Sequence, residues 1–410
     1  MTNTNCRFCG THLTETFTDL GMSPLANSYV RLEHAQRMEP FYPLHVYVCD
    51  TCRLVQLQEF ESPEHIFSDY LYFSSFSESW LRHAETYTNA MVERFGLGAQ
   101  SHVVEIASND GYLLQYFHAR GIPVLGVEPA ANVAEAAVKK GVPTEVAFFG
   151  RATAERLQAD GKGADLIAAN NVLAHVPDIN DFVKGFKTLL KSSGVITVEF
   201  PHLLQLMINN QFDTIYHEHF SYLSFLVVEK IFASHGLIVF DVEELRTHGG
   251  SLRVYARHAE DVSKQVTPAV ATVRQRELDA GLDGMTAYRR FAAQVVETKL
   301  AVLDFFVQAK RAGKRIVAYG AAAKGNTLLN YCGIRAEMID FTVDRSPHKQ
   351  GLLLPGTRIP IRHPDAILEA KPDYVFILPW NLKDEIVEQM AAVRSWGGQF
   401  VVPIPTIRIF

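Results

Sequence analysis

Apolar runs and polar intervals alternate along this chain in a pattern that predicts most of its elements before any single residue is weighed. His102-Val103-Val104-Glu105-Ile106-Ala107 is short and almost continuously apolar, as a strand covered on both faces of a parallel sheet must be, and Ser108-Asn109-Asp110-Gly111 predicts a turn into a helix near Tyr112. Residues 123–129 repeat the pattern and end in Glu128, and residues 165–176 and 194–201 predict two further strands. Residues 237–242 and 251–256 then predict an antiparallel pair that closes the same sheet, with His248, Gly249, Gly250 and Ser251 as the bend between them. Residues 261–312 are polar with helical periodicity; Arg274, Arg276, Glu277, Arg289 and Arg290 predict a solvated face on a connector. Beyond it, residues 315–319, 338–343 and 373–380 predict a second parallel set. Upstream, residues 43–48 alternate like a half-buried strand, and residues 80–95 carry a helical period.

Composition narrows what such a chain can do. At 410 residues, with roughly 150 per domain as a guide, two or three domains are expected, and 48% hydrophobic with 20% charged residues describes a folded chain with sizeable cores. A net charge of -6 without a Lys/Arg run argues against nucleic acid and anionic membrane surfaces as partners. The N-terminal MTNTNCRFCG lacks a signal-peptide layout, and no apolar run reaches the ~18 residues of a membrane span, so a cytoplasmic location is expected.

Four of the five cysteines form two CxxC pairs, Cys6 with Cys9 and Cys49 with Cys52. In a cytoplasmic chain that spacing favours thiolates on a metal over disulfides, and four thiolates suit a closed, tetrahedral, structural Zn2+ site. The 39 residues between the pairs exceed the usual zinc-ribbon spacing, so a small insert must fold there, with residues 21–27 as a loop and 43–48 as a strand. Cys332, alone in a helical stretch, reads as a small apolar filler. After the second pair, Phe67, Tyr70, Tyr72, Phe73, Phe76 and Trp80 alternate with serines, a composition suited to a lid, a pocket wall or a docking surface.

A strand, a tight turn, a helix and a second strand ending in an acid form a binding unit for an adenosine nucleoside: backbone approaches the ligand at the turn and the acid accepts the ribose hydroxyls. Here the turn lacks GxGxxG, and Glu105 and Asp110 would repel a pyrophosphate. S-adenosylmethionine, with a sulfonium and an ammonium and no phosphate, fits that charge pattern. Glu105, Ala107, Asn109, Gly111, Glu128 and Asn170, with Asn171 beside it, are the candidate cofactor residues, and His175 opens the turn after the next strand.

Tyr216-His217-Glu218-His219 places four proton-handling side chains in a row, framed by Phe212, Ile215, Phe220, Leu223 and Phe225. Titratable groups set in apolar surroundings suit proton transfer, because burial and neighbouring charge move a His or Glu toward working pH. Near the C-terminus, Gly320-Ala321-Ala322-Ala323-Lys324-Gly325 leads from strand to helix with small residues that free a helix N-terminus for an anion, and Lys324 adds a charge. It is not a P-loop. Asp344, after the following strand, is a candidate ribose ligand, and the diphosphate of a nucleotide sugar is the expected anion.

Taken in order, these elements predict an α/β chain: a central Rossmann-like class I methyltransferase sheet, a small N-terminal zinc-binding module and a C-terminal doubly wound α/β domain. Along its whole length the sequence resembles the S-adenosylmethionine-dependent sugar C-methyltransferases that add a methyl branch to a keto, deoxy nucleotide sugar. The motifs that carry the resemblance are Pro24-Leu25-Ala26-Asn27, Glu105-Ile106-Ala107-Ser108-Asn109-Asp110-Gly111, Tyr216-His217-Glu218-His219, His248-Gly249-Gly250-Ser251-Leu252-Arg253 and Gly320-Ala321-Ala322-Ala323-Lys324-Gly325. Ala107 stands where the family more often has Gly, a departure expected only to narrow the turn.

The resemblance implies a zinc module with an aromatic lid over residues 1–82, a cofactor domain over 83–258, and a connector with a nucleotide-sugar domain over 259–410. It implies His219 as the base, with Tyr216, Glu218, His175 and Tyr70 completing the site, and His248, Gly250, Ser251, Gly320, Ala321, Lys324 and Asp344 on the substrate side. The expected partner is a dTDP- or GDP-linked 4-keto-deoxyhexose alkylated at a ring carbon, C-3 above others, by a monomer. The chemistry agrees: carbon becomes a nucleophile when a base removes a proton next to a carbonyl, a donor steadies the enolate oxygen, and apolar walls keep water out. An NAD-dependent nucleotide-sugar oxidoreductase and a non-enzymatic nucleotide-sugar-binding scaffold are the competing expectations. The acidic turn argues against the first, and the idle Tyr216–His219 run argues against the second.

Overall fold

A computed structural model describes residues 4–62 and 74–410. Its contacts group the chain into two compact units, each assembled from separated segments: Met1–Leu13, Cys49–His202 and Phe220–Asp283 in the first, and Thr14–Val48, Leu203–His219 and Gly284–Phe410 in the second.

The first unit is built on seven strands: β1 (Val103–Ile106), β2 (Val124–Val127), β3 (Thr144–Glu145), β4 (Ala164–Asn170), β5 (Leu190–Pro201), β6 (Leu237–Leu245) and β7 (Ser251–His258). Their spatial order is β6-β7-β5-β4-β1-β2-β3. Strands β1 to β5 run parallel, and β7 lies antiparallel between β5 and β6. All four residues of β1 and of β2 are buried, as their apolar runs predict. From β1 the chain crosses to β2 on one side while β4 flanks the other, so the sheet reverses direction at β1, and in open α/β sheets ligands bind in the crevice beyond the strand ends at such a point. Helix Glu78–Phe95 packs Ala84, Tyr87 and Met91 onto this sheet with Leu113 and Phe117. The Ser77 hydroxyl caps its start, accepting the Trp80 N–H, and Gly96 in the left-handed region ends it.

The second unit carries a six-stranded sheet: β8 (Ile316–Tyr319), β9 (Thr342–Val343), β10 (Ile361–Arg362), β11 (Tyr374–Ile377), β12 (Gln399–Val402) and β13 (Arg408–Ile409), in the order β10-β9-β8-β11-β12-β13. All pairs are parallel except β12 with β13. Its direction reverses at β8, where Gly320 leads into helix Ala323–Cys332. Gly320 has φ +98°, and a Cβ there would run into Pro379, so no other residue fits without moving that loop. Cys332 is buried at the helix end, a filler as expected. Strands Glu15–Ser23 and Tyr42–Val48 pair antiparallel in this unit.

Arg276, Arg289 and Arg290 are exposed as expected, but the connector and the place of Glu277 on its solvated face are corrected. Helix Pro268–Asp279 belongs to the first unit and helix Thr286–Arg311 to the second, and both bury one face. Glu277 is wholly buried, where its carboxylate accepts the N–H groups of Phe225 (2.6 Å) and Leu226 (2.9 Å) and caps helix Phe225–Ser234. Phe291 stacks on Phe17 with ring centroids 4.7 Å apart. Arg274, Arg276 and Arg289 pair with Glu229, Glu244 and Glu15. Among the described residues no helix is long and apolar enough to cross a membrane.

Candidate active site and metal centre

The four sulfurs of Cys6, Cys9, Cys49 and Cys52 lie within 4.8 Å of one another, with Cys6 to Cys52 and Cys9 to Cys49 both at 3.5 Å. A tetrahedron with Zn–S bonds of about 2.3 Å has edges of about 3.8 Å, so these donors fit Zn2+. Each pair is followed by a left-handed residue, Gly10 (φ +76°) and Arg53 (φ +72°), which turns its N–H back onto the carbonyl of Cys6 or Cys49. The Gln56 amide donates to the Cys6 sulfur at 3.1 Å, orienting a ligand from outside the tetrahedron. Four thiolates leave no position for water, which makes the site structural.

In the first unit the turn after β1 curls through three left-handed residues, Ala107 (φ +55°), Asn109 (φ +50°) and Gly111 (φ +75°). A Cβ on Gly111 would sit 3.1 Å from Val142. Glu128, at the end of β2, holds the turn: its carboxylate accepts the Asn109 N–H and the Ala130 N–H, both at 2.9 Å. Asn109 Oδ1 accepts the Ser74 N–H at 2.9 Å, and Asp110 pairs with Lys140 at 2.8 Å. Burial pushes the Glu105 carboxyl well above the usual carboxylate range, with Glu128 and Asp110 adding to the effect. Burial raises Glu128 too, against the pull of its two backbone donors. Among the described residues, neither oxygen of Glu105, nor the Ser108 hydroxyl, nor either end of the Asn170 amide meets a well-directed hydrogen-bond partner. Buried polar atoms are seldom left so; the Tyr112 hydroxyl interacts with Glu105 and Asn170, and the remaining donors and acceptors around this one turn could hold a ligand. With Glu128 and Asp110 beside Glu105, three carboxyl groups surround the turn, a donor set that S-adenosylmethionine, a cation without phosphate, fits.

The His248 bend is tied to that turn by rings. His248 (φ +54°) stands edge-on to Trp80 at 5.5 Å, and Trp80 stacks on His83 at 4.8 Å and on Tyr112 at 6.0 Å. Under them the buried Glu199 carboxylate meets His83 at 3.0 Å and Arg253 at 2.7 Å. His83 and Glu199 escape a sequence reading; Glu199 was signalled only by its place in the predicted strand over residues 194–201. Ser251 gives its hydroxyl to the Thr247 carbonyl at 3.0 Å and so braces the bend. His175 is half-buried in the 3-10 turn Leu173–His175 just beyond β4.

In the second unit three distant motifs meet. The Asn27 amide donates to Glu218 at 2.7 Å, Asn326 donates to the Ala26 carbonyl at 2.6 Å, and the Thr327 hydroxyl donates to the Ile215 carbonyl at 2.8 Å. The four residues of the proton-handling run part company. His217 and Glu218 are buried, and Tyr216 and His219 half-buried. Burial drives the His217 pKa down to about 4, which keeps it neutral, and raises that of Glu218. His219 Nδ1 lies 2.9 Å from the Thr214 carbonyl, which can only accept, so Nδ1 carries the hydrogen and the lone pair of the neutral ring is on Nε2. The Tyr216 ring rests against it at 4.0 Å.

Around the turn after β8, Asp344 accepts the N–H groups of Ala321 and Ser346, both at 2.8 Å. Lys349 donates to the Ala321 carbonyl at 2.8 Å, and the Tyr29 hydroxyl donates to the same oxygen. Lys324 reaches Asn381 at 2.9 Å across the Trp380 ring, and the Trp380 indole donates to Asp213 at 2.8 Å. Tyr29, Asp213, Lys349 and Trp380 are absent from the sequence-derived set, although Tyr29 stands two residues past Asn27 and Asp213 three residues before Tyr216. Of the expected residues, Glu105, Ala107, Asn109, Gly111, Glu128, Asn170, His175, His248, Gly250 and Ser251 fall in the first unit, and Tyr216, Glu218, His219, Gly320, Ala321, Lys324 and Asp344 in the second. Tyr70 lies outside the described residues.

Comparison with known proteins agrees with this geometry. Three family models match in succession: "Putative zinc binding domain" over residues 6–67, "Methyltransferase domain" over 80–242 and "C-methyltransferase C-terminal domain" over 246–405. The C-methyltransferase NovU of Streptomyces niveus is 37% identical over 404 residues, 98% of this chain and 96% of its own length. A solved S-adenosylmethionine-dependent methyltransferase from Listeria monocytogenes aligns over 44% of this chain and 100% of its own, at 14% identity and a TM-score of 0.35. The PH0226 protein from Pyrococcus horikoshii aligns over 48% of this chain and 99% of its own, at 14% identity and a TM-score of 0.37.

Proposed function

The chain belongs to the C-methyltransferase family, S-adenosylmethionine-dependent enzymes with a zinc-binding module, and from that premise we propose that it methylates a ring carbon, C-3, of a 4-keto-deoxyhexose linked to dTDP or GDP, as a monomer in the cytoplasm. His219 carries the reading: with its Nδ1–H given to a backbone carbonyl, the half-buried ring holds its lone pair on Nε2, beside a phenol. His219 takes the proton from the carbon next to the ketone, and the C–H bonding pair becomes the enolate. Tyr216 is the donor in reach of His219 that would steady the enolate oxygen. Glu218, held by Asn27, orients the sugar, while buried His217 stays neutral and structural. Glu105, Asn109, Glu128 and Asn170 would hold S-adenosylmethionine, whose methyl carbon would accept the enolate's electron pair as its bond to sulfur breaks and leaves S-adenosylhomocysteine. Lys324, Lys349 and the first turn of helix Ala323–Cys332 supply positive charge for a diphosphate.

The test separates proton removal from methyl transfer. With S-adenosylhomocysteine bound, the wild-type enzyme should exchange deuterium from solvent into the carbon beside the ketone. His219→Asn should lose both that exchange and turnover, by on the order of a thousandfold for a general base, while binding S-adenosylhomocysteine normally. Exchange at the wild-type rate in His219→Asn, or equal turnover of the free keto sugar and its nucleotide-linked form, would overturn the reading.

A further inference from the structure

Asp213 lies in the 3-10 turn Phe212–Thr214, three residues before Tyr216, and its side chain is wholly buried. A carboxylate is costly to bury, and this one accepts the Trp380 indole N–H at 2.8 Å. Trp380 follows β11, whose end forms one wall of the crevice where the second sheet reverses direction. The same indole ring carries the Lys324 ammonium 4.7 Å from its centroid, and Lys324 sits in the first turn of helix Ala323–Cys332. That helix is fastened to the proton-handling loop a second time, through Thr327 and the Ile215 carbonyl. One loop, carrying the base, is thus bonded to both walls of the crevice.

We infer that Asp213 is a positioning residue which, through Trp380, couples recognition of the nucleotide diphosphate at Lys324 to the alignment of the His219 loop. This rests on the reading of His219 and Lys324 given above. It assigns a physical role to binding energy from the part of the substrate that does not react: that energy sets the base and appears in kcat, so a substrate stripped of its nucleotide loses rate as well as affinity. The charge arrangement is consistent, since burial lifts the Asp213 carboxyl to about 7 while Lys324 opposes the rise, so the carboxyl responds to where the ammonium stands.

The experiment compares Trp380→Phe, Asp213→Ala, Asp213→Asn and the double variant Asp213→Ala with Trp380→Phe. Phe keeps the ring under Lys324 and removes only the indole donor; Asn keeps an acceptor for it. Trp380→Phe and Asp213→Ala should each lower kcat tenfold or more on the nucleotide sugar, the double variant should be no worse than either, and Asp213→Asn should stay within threefold of wild type. Affinity for the bare nucleoside diphosphate and for S-adenosylhomocysteine, by calorimetry, should stay within threefold in all four. Wild-type kcat in Trp380→Phe would overturn the inference, as would multiplicative losses in the double variant or a loss in diphosphate affinity that matches the loss in rate. If the wild-type enzyme itself fails to turn over a nucleotide-linked keto sugar, the underlying reading fails instead, and the two failures are told apart by that control.

Discussion

The turn after β1 and the turn after β8 are built by one device and charged in opposite senses. In each, a strand enters a tight turn and a helix, and the acid at the end of the next strand reaches back to a turn N–H and forward to the N–H two residues past itself. Glu128 takes Asn109 and Ala130; Asp344 takes Ala321 and Ser346. Around the first turn stand Glu105 and Asp110, and around the second Lys324 and Lys349. The backbone recipe therefore specifies only that a nucleoside-like ligand can approach. On the proposed reading the side chains on the turn make the choice, a sulfonium and ammonium in one case and a diphosphate in the other, because charge at contact distance in a partly desolvated crevice is little screened.

The sharpest way to break that pairing is to remove each acid in turn. Glu128→Ala should cost S-adenosylhomocysteine binding roughly a thousandfold, from the two ribose hydroxyls expected on its carboxylate at about 1.5–3 kcal/mol each, and leave nucleoside diphosphate binding unchanged. Asp344→Ala should do the reverse. Loss of both ligands in either variant, by titration calorimetry, would mean that the acids serve folding alone.

Acid separates the two regions next. The fold holds His217 at a pKa of about 4 against 6.5 in the unfolded chain, so between those values the unfolded chain binds the extra proton. The stability this gives is complete above pH 6.5 and disappears as pH falls through about 4, a span of about 3 kcal/mol. Glu105 and Glu128 act with the opposite sign, their folded pKa values being raised, so their contribution is present in acid and fades as pH climbs. Amide exchange should show residues 212–220 losing protection toward pH 4 in wild type but less so in His217→Gln. An identical acid limb in the variant would remove His217 as the cause.

The smallest expected effect sits in the first turn. Ala107 holds φ +55°, where an L side chain costs about 1 kcal/mol, so the substitution for Gly does more than narrow the turn. Ala107→Gly should raise stability by up to about 1 kcal/mol in urea titrations, less what the freer unfolded chain takes back. A loss of stability would show that Ala107 packs favourably enough to offset its strain.

Much of this was legible because the signals are short. Two CxxC pairs state a metal site outright. Continuous apolar runs ending in small residues and followed by an acid state a strand, a turn and the acid that braces it, and both turns stand where those runs place them. Glu277 was misread because a charged residue in a polar helix ordinarily faces water; nothing within a turn of it reveals that two N–H groups some 50 residues earlier need an acceptor. Asp213 and Trp380 were invisible for the same reason, each unremarkable until the other is beside it.

The sequence alone determined the chemistry of this protein's parts: four thiolates for zinc, an acidic turn for a cationic cofactor, a run of proton-handling residues, and a basic turn near the C-terminus. Only the tertiary structure decided which parts work as one, gathering Asn27, Glu218 and Thr327 from three corners of the chain and interleaving the two units in sequence. Periodicity and spacing act over a few residues, whereas the partner of a buried polar group is chosen by the path of the whole chain.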